Sequence, residues 1–308
     1  MTTNMQFDPT AVDGIDPNSV ENSGVTYPTI QWHYGDVKLK KAGGMDYQGG
    51  WFIKAEAVDE EALLAAGWEK TSWSHANGAE DEGFYRREIA VSIIALRKRW
   101  EVNSANQRLA FAWSDYETAK AQGKASGRTH VLVVVKGLED VGPMILTLKG
   151  MSAMAFEGTR QDAGALSAFT ATVITAANKA SDTAAKQNGQ RSAKRWPYRA
   201  FWLPVGANRQ ADGQPLFTEV GKGKDVTRVV LPVALGLPAK AEQVQLNSFY
   251  VGNVLLATVN ELWQMAEESW THAWDSLTPT IQTVETLNGH ATEEDPTPTP
   301  DVMSALGL

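Results

Sequence analysis

Cysteine is absent from the 308 residues. Neither a disulfide framework nor a thiolate metal site can be built, and a reducing compartment is the expected setting. Histidine is scarce. His33, His75, His130, His272 and His290 stand too far apart in sequence to make a local HxH or HxxxH ligand pair, which argues against a zinc enzyme. Long apolar runs are missing as well, since the longest, 131–135 and 251–257, fall far short of a bilayer's thickness. The first thirty residues hold four acids, no Lys or Arg and no apolar stretch, unlike a signal or transit peptide. A soluble, cytoplasmic protein is expected.

The absence with the most to say is that of Lys and Arg from residues 241–308, which carry ten Asp and Glu, a net −10. Residues 91–240 are the opposite, with 21 Lys and Arg against 11 Asp and Glu, a net +10. The two N-terminal stretches, 1–30 and 31–90, contribute −4 each. The total of −8 therefore conceals a basic body joined to an acidic end. Such a chain suits a polyanion while carrying its own competitor.

Four spans are expected: a flexible arm at 1–27, a folded body at 28–240, an amphipathic helix at 241–278 packed on that body, and a disordered acidic tail at 279–308. The arm is polar and repeats Asp-Pro. In the body, 29–34 and 51–57 alternate as strands do, with a glycine-rich turn region at 43–50 between them. Asp59 ahead of Glu60 and Glu61 predicts a capped short helix ending at Gly67, and the acidic stretch at 80–82 reads as a solvated loop. Strands are predicted at 84–100, 108–113, 129–136 and 144–149. Helix follows over 152–179, with Asp162 as a candidate N-cap, then a flexible basic loop at 181–194. Strands return at 198–205, 216–220 and 227–234. This order is that of a mainly β, α+β protein, an OB-like antiparallel barrel with a helix between strands, or else of a generic α+β domain. Over 247–277, Val254, Thr258, Leu262, Ala266, Trp270, Trp274 and Leu277 recur at helical spacing and predict the buried stripe of the C-terminal amphipathic helix.

No catalytic motif stands out, and no cofactor is expected. Gly221-Lys222-Gly223-Lys224 lacks the spacing and hydroxyl of a phosphate loop, and no GxGxxG is present. Gly150-Met151-Ser152 sits at a strand-to-helix turn but lacks the closing glycine of a nucleophile elbow, so Ser152 reads as a helix cap. Glu80, Asp81 and Glu82, with Asp225, are the only carboxylates that suggest Mg²⁺ and nuclease chemistry, yet adjacent carboxylates point different ways.

Cations and aromatics, by contrast, interleave repeatedly, as binding to single-stranded nucleic acid requires: cations meet phosphates and rings stack on bases. Candidate phosphate contacts are Lys38, Lys40, Arg97, Arg99, Arg108, Lys124, Arg128, Arg191, Lys194, Arg195, Arg199, Lys222 and Lys224. Candidate stacking rings are Trp100, Trp113, Trp196, Tyr198 and Trp202. The run from Arg191 to Trp202 is the densest. Read as an extended strand, it places Trp196, Tyr198 and Trp202 on one face.

This layout resembles the single-stranded DNA-binding proteins of phages, plasmids and bacteria, with 84–234 as the body and 293–308 as the tail. The resemblance implies a non-enzymatic, sequence-non-specific protein of replication or recombination. It also implies that the tail competes with DNA and recruits replication or repair proteins. The tail residues are Glu285, Glu293, Glu294, Asp295 and Asp301, with apolar Leu306 and Leu308 at the tip. The tip lacks the aromatic of the bacterial pattern. Two other functions fit the composition: a structural or oligomeric assembly protein of a phage or mobile element, and an RNA-binding protein.

Overall fold

The computed structural model describes residues 27–34, 49–74, 80–104, 107–159, 162–189, 195–220, 227–266 and 282–283. Strands β1 (Thr29–His33) and β2 (Gly50–Lys54) pair in antiparallel fashion, bringing Trp32 opposite Trp51. Helix α1 (Glu60–Ala65) begins where the sequence predicts, with the Asp59 carboxylate accepting from the Ala62 amide at 3.0 Å. The chain then forms β3 (Glu69–Ser74), β4 (Glu80–Arg86) and the 17-residue β5 (Glu88–Ser104). Residues 80–82 are thus strand rather than the solvated loop expected, and Asp81 pairs with Lys54 on β2 at 3.0 Å.

Next come β6 (Gln107–Ala112), a helix α2 (Tyr116–Gln122) that the periodicity did not announce, β7 (Ala125–Val135) and β8 (Met144–Lys149). Helix α3 (Gly150–Glu157) starts with Ser152 in the capping role, its hydroxyl accepting from the Lys149 amide at 2.9 Å. The expected helix over 152–179 is interrupted at Gly158 (φ +102), where the backbones of Gly158 and Gly164 come so close that a Cβ on either would collide. It resumes at Ala165, not at Asp162, as α4 (Ala165–Phe169), one π turn (Thr170–Ile174) and α5 (Thr175–Gln187). Much of the predicted basic loop is therefore helix, because its alanines favour helix and its charges face solvent.

Strand β9 (Leu203–Ala207) is shorter than predicted, since residues 198–200 form a 3-10 turn. Strands β10 (Phe217–Val220) and β11 (Thr227–Val230) form a separate hairpin, followed by β12 (Pro232–Ala234). The C-terminal helix divides into α6 (Gln243–Phe249), which ends where Tyr250 turns extended, and α7 (Asn253–Met265), which starts after Gly252, whose φ of +90 suits glycine. The buried side of α7 carries Val259 and Ala266, flanked by Leu255, Leu262 and Trp263. Val254 and Thr258, assigned from spacing to the buried stripe, face solvent. Gln282 and Thr283 form β13, which pairs with β6 at Arg108 and Gln107.

The protein is a mixed α+β fold built on one large sheet, ordered β12-β9-β5-β7-β8-β1-β2-β4-β3, with β6 and β13 continuing from the far half of β5. Every pairing is antiparallel except β1 with β8. The sheet is not closed, and the OB-like barrel expected from strand order is not formed among the described residues. It curls instead. The Trp51 indole donates to the Val205 carbonyl across from β9 at 3.0 Å, and the Trp32 indole donates to Val230 at 3.0 Å.

Both faces of the central strands are covered. The β5–β7 register slips between Ile93 and Ala95. Ile89, Val91 and Ile93 face the main core with α3 to α5, and Ile94, like Ala90, packs on the other side with Leu132, Val134 and Trp202 beneath α7; past the slip Ala95 stays on that second side and Leu96 returns to the main core. No helix among the described residues is long and apolar enough to cross a membrane.

Candidate functional site

The basic strand β5 uses its cations differently from a groove open to solvent. Register sets Arg99 opposite Arg128 and Arg97 opposite His130, so these four share one face of β5 and β7. Arg97 and Arg128 are nevertheless buried, together with Glu101. The Arg128 Nε donates to Glu101 at 2.7 Å and Arg99 donates to the same carboxylate. Lys98, on the other face, pairs with Glu157 of α3 at 2.5 Å and lies over the Trp113 ring.

Trp100 is buried against Trp113, the rings stacked 4.2 Å apart and nearly parallel, with the Trp100 indole donating to the Trp113 carbonyl. With Val102, Phe111 and Ala119 they form a small core under α2. Trp202 is equally buried, under α7. Arg199 fixes that helix, donating to the Asn260 side chain at 2.5 Å and lying 4.1 Å from the Trp263 ring centre. Lys124 is exposed at the start of β7. Arg108 holds a register position opposite Asn103. Lys38, Lys40, Arg191, Lys194, Lys222, Lys224, Glu285, Glu293, Glu294, Asp295, Asp301, Leu306 and Leu308 lie outside the described residues, as does the arm up to residue 26.

The place where predicted residues meet an accessible recess is the run after α5. It is not the extended ladder expected: the turn at 198–200 breaks the alternation that placed Trp196, Tyr198 and Trp202 on one face. Trp202 turns into the core while Trp196 stays at the surface of α5. Two hydrogen bonds hold it there, from its indole to Ser181 Oγ at 2.7 Å and from its amide to Asn178 Oδ1 at 2.8 Å. The segment is clamped to the α6–α7 junction by Trp202 N–H to the Phe249 carbonyl, 2.7 Å, and Val251 N–H to the Ala200 carbonyl, 3.1 Å.

That clamp assembles three rings. Trp196, Phe201 and Tyr250 meet edge to face, with centroids 5.6 to 6.0 Å apart. They wall an open cavity of about 400 Å³, whose opposite side is the small-residue stripe Ala177, Ala180 and Ala184 of α5. The volume falls in the range of small-ligand clefts. Next to Trp196 in the chain, Arg195 is well exposed and pairs with Asp182 at 2.8 Å, a contact that solvent weakens. Tyr198, also exposed, shares a hydrogen bond of 2.8 Å with Thr170. Thr170 opens the π turn, a feature frequent at functional sites.

Tyr250, Asn247 and the alanine stripe were not legible as site residues. The stripe looks like helix propensity alone, and Tyr250 reaches the site through a contact 49 residues away in sequence with Phe201.

The described residues contain no group of three or more His, Asp or Glu placed to hold a metal ion. What the fold and the recess define is an open-sheet α+β protein with an aromatic-walled cleft. Compared with known protein families, curated proteins and solved structures, the chain matches none.

Proposed function

We propose that this is a single-stranded DNA-binding protein that accepts bases without reading their sequence and acts in the cytoplasm during replication or recombination. The observation that carries the proposal is the open recess walled by Trp196, Phe201 and Tyr250, placed where the densest run of Arg and Lys enters the fold. A base has two apolar faces and no fixed charge, so it fits a cleft of rings and alanines. Its phosphates stay outside, where the exposed Arg195 meets them.

Bases that stack on aromatics contribute about 1–3 kcal/mol each. Trp196→Ala is therefore expected to weaken binding of an oligo-dT by roughly fivefold to a hundredfold, read by fluorescence anisotropy. Ala184→Glu supplies the check against misfolding, because position 184 is exposed on α5 and Glu is a good helix former. It should weaken binding by placing a carboxylate in the cleft, whereas Ala184→Lys should not. Equal affinity for Ala184→Glu and Ala184→Lys would remove the recess from the interface.

A further inference from the structure

We infer that the basic rows of β5, β7 and β8 are the docking surface for the chain's own acidic segment, residues 267–281. Beyond the apolar row that packs under α7, the same face of the sheet turns cationic. Ala95 lies opposite Leu132 and Leu132 opposite Ile145, whereas two residues farther along Arg97 lies opposite His130 and His130 opposite Thr147. The next row sets Arg99 opposite Arg128 and Arg128 opposite Lys149. Glu101, one row on, divides its two oxygens between Arg128 and Arg99. Arg97 and Arg128 are nevertheless only 7 % and 6 % exposed. Guanidinium groups so far from water are costly to keep without carboxylate or ring partners, and these rows call for more negative charge than Glu101 alone supplies.

The chain brings such partners to both sides of this face. Ala266, which follows α7, is buried in the cluster of Ile94, Leu132 and Val134, one row before Arg97. Gln282 pairs with Arg108 of β6, and Arg108 lies opposite Asn103 of β5, about 20 Å along that strand from Arg97. Residues 267–281 are thus tethered on either side of the basic rows. They hold Glu267, Glu268 and Asp275, the indoles of Trp270 and Trp274, and no Lys or Arg. Carboxylates pair with guanidinium groups and indole faces lie over them, so the segment matches the surface in chemistry as well as in position. Tied at both ends, it meets the arginines at high effective concentration, and an external anion has to displace it. The inference stands apart from the nucleic-acid reading, which rests on the aromatic recess.

The dipole of α7 gives the test a sign. Carboxylates just past a helix C-terminus are unfavourable, so Glu267→Gln combined with Glu268→Gln leaves stability unchanged or slightly higher if these side chains touch nothing. Docked on the basic rows, the same pair of changes should raise the unfolding equilibrium constant roughly tenfold or more, read by urea denaturation of the full-length protein. Made in an Arg97→Met background, the pair should raise it less than about threefold, because the charge it leaves unbalanced is already gone. Arg99→Gln, at a side chain that is partly exposed, serves as a second background if Arg97→Met does not fold. Unchanged or higher stability of the glutamine pair overturns the inference. A thermal midpoint that then rises with oligo-dT, and loses the rise in Arg99→Gln, assigns the face to nucleic acid instead. A loss of stability equally large with and without the arginine change places the segment elsewhere and also overturns the inference.

Discussion

Trp51→Ala should destabilise the protein by about 3–5 kcal/mol, the largest loss expected from any single ring. Trp51 has no exposed surface, meets Trp32 edge to face at 4.8 Å, and bonds across to the Val205 carbonyl of β9. Truncation removes the buried area, leaves a cavity between β2 and β9, and strands a carbonyl. Trp51→Phe keeps most of the volume and loses the hydrogen bond, so it should cost far less than the alanine change. Urea denaturation followed by circular dichroism measures both. If Trp51→Ala lowered stability by less than about 1 kcal/mol, the two arms of the curled sheet would not be held together by this residue.

Glu101→Ala is expected to cost about 3–5 kcal/mol for a different reason. Glu101 is buried and accepts from Arg128, itself buried, and from Arg99. Without the carboxylate, two guanidinium groups face one another across β5 and β7 with less to balance them. The same physics predicts that Glu101→Ala combined with Arg128→Met loses less stability than Glu101→Ala alone, since no buried charge is then orphaned at position 128. A double variant as unstable as the sum of its single variants would show that the pair is not coupled. The effect bears on function, because it assigns Arg99 and Arg128 to holding the sheet together before any contact with phosphate.

Strands with strong local signals were legible in the chain. The Val-rich run of β7, the alternation of β8 and the Asp59 cap all lie where local pattern places them. What local pattern could not supply was the partner of each face. The bulge after Ile93 shifts the alternation so that Ala95 joins Ile94 on a second core and Leu96 returns to the first, and no periodicity in β5 reveals which later helix covers that second side. Closure of the sheet is likewise a matter of strand order in space. Three strands, a helix and further strands satisfy a barrel and an open curled sheet equally well in sequence.

The candidate site divides in the same way. Trp196 and Arg195 were found because cations and rings cluster there. Trp100, Trp202 and Arg199 belong to the same kind of cluster but serve the core and the α7 contact, as sequence neighbours with opposite faces often do. Tyr250 was missed because its partner Phe201 is distant in sequence. Val254 was misassigned because Leu, Val and Ala populate both sides of α7, so that spacing alone allows more than one phase.

Affinity for single-stranded DNA over a salt series tests the proposed function most directly, with duplex DNA and single-stranded RNA measured in parallel on the full-length protein. The prediction is binding of oligo-dT and mixed-sequence strands within a few-fold of each other, weaker binding of duplex, and a log–log salt slope of roughly −2 to −3, the value for three to four neutralised phosphates on a single strand. Binding of RNA in preference to DNA would move the assignment to RNA. No binding of any strand at low salt would contradict it outright.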